Sequence, residues 1–139
     1  TRITDEIWRE NRRTMIIEID FNSDEAIYMQ LRNQIILGIA TSQYREGDSL
    51  PSVRQMADTI GINMHTVNKA YSILKQEGYL KLDRRKGAVI ALDLDKYRAK
   101  LEMEAAMRMI LAQGICKGVT CEEVHEMIDK IYGDFAREE

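Results

Sequence analysis

The sequence predicts a mainly α-helical chain with one small β-hairpin, in two parts, 15–92 and 93–139, after a short extension at 1–14. Three observations carry that expectation. Between Ser52 and Gly78 two short apolar-periodic segments are separated by little more than Gly61; YLKLD (79–83) and AVIAL (88–92) flank a basic tip; and two amphipathic segments follow Leu92.

Residues 1–14, TRITDEIWRENRRT, have no clear period and precede Met15. Met15 reads as the natural start and 1–14 as translated leader, because Arg12-Arg13 can be encoded AGG-AGG, which resembles a ribosome-binding sequence just upstream of an ATG. A frayed or helical N-terminal arm is the other reading. MIIEID (15–20) alternates isoleucine with other residues and predicts a short strand. Ser23-Asp24-Glu25 reads as a helix start with acids in the first turn, and the helix runs to about Tyr44, burying Ile27, Leu31, Ile35 and Ile39.

Glu46–Pro51 is a turn-rich link. It ends at Ser52, which with Gln55 fits a capping box: the serine hydroxyl and the glutamine side chain satisfy orphan backbone donors at each other's positions. Val53, Met56, Ala57 and Ile60 fall at i, i+3, i+4, i+7, and Gly61 supplies a left-handed stop. One residue later Asn63 is a good N-cap for a helix with an inward stripe of Val67, Ala70, Tyr71 and Leu74, stopped by Gly78. Two short helices joined this tightly make a helix-turn-helix, and the hairpin behind them, with Arg84, Arg85, Lys86 and Gly87 at its tip, makes it a winged one.

Beyond Leu92, Leu94, Tyr97, Leu101 and Ala105, with Met103, Met107, Ile110 and Leu111, predict a helix that is apolar over a broad arc. Thr120-Cys121-Glu122-Glu123 is a second capping box, opening a helix that carries Val124, Ile128, Ile131 and Phe135. Gly114 and Gly118 bracket the loop between them. These stripes exceed what two isolated helices can bury against each other, so Leu101, Met107, Ile110, Leu111, Val124, Ile128, Ile131 and Phe135 are the expected dimerisation residues, and a second copy of the chain is the expected cover.

Composition bounds the function. The chain has 139 residues, 45% hydrophobic and 31% charged, which excludes disordered and fibrous classes. No apolar run approaches the roughly 18–20 residues of a membrane span and no export signal is evident, so a cytoplasmic location is expected. Net charge is −3, yet Tyr44–Leu92 holds eight bases against five acids, whereas Asp93 onward holds seven against eleven. A basic middle joined to an acidic tail separates a nucleic-acid surface from an assembly surface. On a 100° wheel His65, Asn68, Ser72 and Lys75 lie opposite the core stripe of the second short helix, with Met64 and Lys69 on the flanks. A helix in the DNA major groove needs that arrangement: Asn68 can pair two-pronged with adenine and His65 can meet a base edge, while Arg54, Thr66, Lys69, Arg84, Arg85 and Lys86 are phosphate or groove contacts.

Other chemistries fit less well. Cys116, Cys121 and His125 form C-x4-C-x3-H, but structural zinc usually takes four ligands at tighter spacing; no metal and no cofactor is expected, and the two cysteines read as reduced thiols. His65 and His125 are too dispersed for a base, nucleophile and oxyanion site, so no enzyme is expected.

AIYMQLRNQI, REGDSLPSVRQMADTIGIN and TVNKAYSILKQEGYL resemble the DNA-binding domain of the GntR family of bacterial transcription regulators, from about Ile27 to Leu92. The resemblance implies a winged helix in which Ser52 and Arg54 of the LPSVR motif, the start of the recognition helix at Asn63 and Met64, and the wing Gly87 face DNA. Two positions depart from it. Many members have serine-arginine where Asn63-Met64 stands, so an arginine able to bind guanine is missing, and the first glycine of a wing G-x-G is Arg85, which leaves the turn type open. The tail of 47 residues is too short to enclose a drug-sized pocket and resembles the YtrA-like subfamily, in which it serves dimerisation. The expected function is a sequence-specific dimeric repressor of double-stranded DNA at an inverted repeat, with ABC-transporter genes among the targets the resemblance implies and a small-molecule effector left open. The alternative is a winged-helix module that binds protein instead.

Overall fold

The computed structural model describes residues 17–136; residues 1–16, with the expected leader and the first two residues of MIIEID, lie outside them. Five helices and two strands follow: α1 (Ile27–Ala40), α2 (Val53–Ile60), α3 (Met64–Gln76), β1 (Leu80–Asp83), β2 (Gly87–Ile90), α4 (Lys96–Cys116) and α5 (Cys121–Ala136). They fall into two compact units that divide between Asp93 and Leu94.

In the first unit α1 and α2 both pack on α3, and β1 follows directly behind it. Leu31 and Ile35 of α1, Met56 and Ile60 of α2, and Val67 and Leu74 of α3 are fully buried together, each contributing roughly 1.5–3 kcal/mol of transfer free energy. The expected stripe of α3, Val67, Ala70, Tyr71 and Leu74, is its buried face.

Ile17–Asp20 forms no strand, although the alternation was real: Ile17 and Ile19 are buried, Glu18 and Asp20 exposed. Two glutamines one turn apart on α1 take the place of a partner strand. Gln34 Oε1 accepts from the Glu18 N–H (2.9 Å) while its amide nitrogen donates to the Glu18 carbonyl; Gln30 does the same for Asp20 and also donates to the Glu25 carbonyl (2.9 Å). Side-chain amides thereby satisfy backbone groups that a ladder would otherwise serve.

α1 is shorter than expected at both ends. Ser23 accepts from the Glu25 N–H in a turn and the helix starts at Ile27 without a side-chain cap. It ends at Ala40 because Ser42 takes φ +63° and the N–H groups of Gln43 and Tyr44 both reach back to the Gly38 carbonyl, turning Tyr44 into the core. The link that follows is more than a turn: Gly47 N–H donates to Ile90, Ile90 N–H to Asp48 and Leu50 N–H to Ala88, and Ser49 bridges Val89 on the edge of β2 that β1 leaves open.

In the second unit Asp95 caps α4 through the Arg98 N–H (3.0 Å) and the expected Thr120–Glu123 capping box starts α5, each partner donating to the other at 2.9–3.1 Å. The bond from the Thr120 N–H holds the Glu123 carboxyl below the usual carboxylate range. Gly114 does not border the loop; it lies inside α4 and its carbonyl accepts from Lys117 and Val119, so the reversal is made by Gly118 at φ +86°. Neither α4 nor α5 has a single buried residue. No helix of the described residues is long and apolar enough to cross a membrane.

Candidate nucleic-acid interface

Three local structures position the candidate residues. The first is the start of α2. Ser52 Oγ accepts from the Gln55 N–H (3.1 Å) and Gln55 Oε1 from the Ser52 N–H (3.0 Å), closing the expected capping box and placing the exposed Arg54 in the first turn. Tyr71, buried on α3, donates its hydroxyl to the Pro51 carbonyl at 2.8 Å and so ties α3 to the residues that lead into α2. Burial pushes the Tyr71 phenol far up, keeping it a neutral donor. Sequence reasoning placed Tyr71 in the core stripe and missed this bond; an aromatic hydroxyl within an apolar stripe is the signal that a partner must exist.

The second is the turn and α3. Gly61 takes φ +80° and its N–H, with that of Ile62, closes α2 on the Ala57 carbonyl. Asn63 then caps α3 by accepting from the His65 N–H at 2.6 Å. His65, Asn68, Ser72 and Lys75 are exposed along α3 opposite its buried stripe, Met64 is 44% exposed at its first position, and Thr66 is half-buried. Lys69 is exposed too, and its ammonium sits 3.9 Å from the centre of the Tyr28 ring, so a residue of α1 holds this cation beside α3.

The third is the wing. β1 and β2 pair antiparallel from Leu80↔Ile90 to Asp83↔Gly87, leaving Arg84, Arg85 and Lys86 exposed at the tip. The turn type left open by Arg85 is settled by Asp83: its carboxylate accepts from the N–H groups of Arg85 (2.8 Å) and Lys86 (3.0 Å), and only Gly87, at φ +77°, takes the left-handed region. Hydrogen bonds from Lys86 and Arg85 hold the Asp83 carboxyl below the usual carboxylate range.

Charge is distributed accordingly. Arg32 is paired with Glu77, Arg98 with Glu102 and Arg108 with Glu104, whereas among the described residues Arg54, Arg84, Arg85 and Lys86 form no ion pair. Unpaired exposed cations on α2 and the wing, with a polar row on α3, suit a polyanion with readable edges.

The remaining candidates lie in the second unit. Leu101, Ile110, Ile128 and Ile131 are exposed, and Met107, Leu111, Val124 and Phe135 only half-buried. Cys116 and Cys121 are free exposed thiols, and with His125 they do not converge: no group of three metal-ligating side chains exists among the described residues.

Comparison with known proteins agrees with this fold. Residues 23–90 match the bacterial regulatory proteins of the gntR family. The chain is 32% identical over 122 residues to the HTH-type transcriptional repressor YtrA of Bacillus subtilis, covering 86% of this chain and 94% of that one. It is 31% identical to the HTH-type transcriptional regulator YhcF of the same organism, covering 78% and 91%. Among solved structures it resembles a transcriptional antiterminator from Listeria monocytogenes EGD-e (TM-score 0.77, 28% identity, 88% and 93% covered). It also resembles YtrA from Sulfolobus acidocaldarius, a GntR-family transcription factor (TM-score 0.57, 36% identity, 68% and 99% covered).

Proposed function

The chain belongs to the GntR family of bacterial regulatory proteins, and from that premise we propose that it is a sequence-specific DNA-binding repressor that acts as a homodimer on an inverted repeat. It is a transcription regulator and not an enzyme. One observation carries the DNA reading: α3 buries one face and shows water the row His65, Asn68, Ser72 and Lys75, accompanied by Arg54 in the first turn of the capped α2 and by a wing whose three cations form no ion pair among the described residues. Side chains at the start of α3 meet base edges in the major groove, and Arg54, Lys69 and the wing contact phosphates.

The second copy is supported by α4 and α5, which leave Leu101, Ile110, Ile128 and Ile131 exposed and bury no residue. A two-fold dimer presents two α3 helices to half-sites about one helical turn apart. Repression follows from occupying a promoter, and the Bacillus subtilis relative carries that name. ABC-transporter genes are the targets that the family resemblance suggests.

Selection from a random duplex library with the full chain, at two salt concentrations and with its mass in solution recorded, tests this reading. Enrichment of an inverted repeat by a dimer is expected, with binding that weakens at a log-log slope of about −0.9 per phosphate contact. Binding without enrichment of any sequence, or retention indifferent to salt, would contradict it and favour a protein partner.

A further inference from the structure

Met64 is the first residue of α3 and is 44% exposed, although it carries no charge and no strong hydrogen-bonding group. Residues four apart are neighbours on a helix, so Met64 stands one turn before Asn68, on the flank where the buried stripe of Val67, Tyr71 and Leu74 gives way to the exposed Asn68, Ser72 and Lys75. His65 and Asn68 provide hydrogen-bonding groups beside it, so the exposed start of α3 combines polar readers with one flexible apolar reader. A helix that enters the major groove by its N-terminal turn sets its first residues against base edges. The major groove offers one apolar group larger than a C–H, the C5-methyl of thymine; the other features that distinguish bases there are chiefly hydrogen-bond donors and acceptors.

We propose that Met64 is a specificity-determining residue that reads the C5-methyl group of a thymine in each half-site, an inference that rests on the operator-binding function above. A thioether on an unbranched stem adapts to a methyl group without fixed geometry. One helical turn rises 5.4 Å against about 3.4 Å per base pair, so that thymine lies about one or two base pairs from the adenine met by Asn68.

The test uses the full chain and its selected operator, replacing each thymine in turn by deoxyuridine, which removes the methyl and leaves every hydrogen-bonding group. Wild type should lose roughly fourfold in affinity at one thymine per half-site, the worth of one buried methyl. Met64→Ala, its fold checked by thermal melting, should be indifferent to the same replacement, and Met64→Arg should shift the preferred base there toward guanine. Indifference of the wild type to deoxyuridine at every thymine overturns the proposal without requiring any variant, as does an undiminished penalty in Met64→Ala. Specific binding without methyl dependence removes this inference alone; failure to select any duplex removes the operator-binding function and this inference with it.

Discussion

Tyr71 joins the core to the candidate interface through one side chain, its ring buried in α3's stripe and its hydroxyl on the Pro51 carbonyl. Tyr71→Phe leaves that carbonyl buried without its donor and should cost about 1–3 kcal/mol in urea unfolding; an unchanged midpoint would show that water replaces the bond. Arg54 presents a different case, since it is exposed and in no ion pair among the described residues. Arg54→Ala should weaken binding to all duplexes alike and reduce the salt slope by about 1 per half-site, about 2 for the dimer, read by titration at several salt concentrations; a loss confined to one sequence would make it a base reader. Asp83 sets the wing's response to pH. Its folded carboxyl titrates below its unfolded value, so the turn's stabilisation is complete above the ordinary carboxylate range and is lost only as pH falls through the lower, folded value. Amide shifts of Arg85 and Lys86 in an NMR titration should move with a midpoint below that of a free aspartate. A midpoint at or above it would contradict this role.

At the level of elements, Ser52→Ala removes half of the capping box of α2 and should cost about 1 kcal/mol, read from denaturation midpoints. Gly78→Ala should cost about 1–3 kcal/mol, because φ is +88° there and an added Cβ would meet the Asp93 Cβ at 2.8 Å. Both positions were legible in the sequence, since capping and left-handed stops are local: Ser52 to Gln55 and Thr120 to Glu123 span three residues, and Gly61 and Gly78 follow the last apolar residue of a stripe. The wing's place was legible for the same reason. What the sequence did not show depends on partners far away along the chain. Gln30 and Gln34 clamp Asp20 and Glu18 at separations of 10 and 16 residues, so Ile17–Asp20 alternates like a strand without being one. The bridge from Ser49 to Val89 closes a gap of forty positions, which no turn signal in Glu46–Pro51 reveals. Gly114 was misplaced because glycine marks a helix end only when its backbone needs the left-handed region, and here Gly118 takes that conformation instead.

Across the whole molecule, the candidate DNA-facing residues all lie in the unit ending at Asp93, and the exposed apolar residues of α4 and α5 all lie in the other. That division matches the charge asymmetry of the sequence, a basic middle and an acidic tail, and under the proposed function it puts reading and assembly in separate parts of the chain. Ile131→Glu places a charge on the exposed apolar stripe of α5 without touching the first unit's core. It should halve the mass in solution and weaken operator binding while leaving the melting of the first unit in place; a dimer of unchanged mass would move the assembly surface elsewhere. The measurement that bears most directly on the central claim, that the exposed row of α3 reads bases, compares wild type and Asn68→Ala against every single-base-pair variant of the selected operator. Wild type should discriminate for adenine by about 1–3 kcal/mol at one position of each half-site, and Asn68→Ala should lose that discrimination there and nowhere else. An equal loss against all variants, or no loss at all, would contradict the assignment of α3 as the reading element.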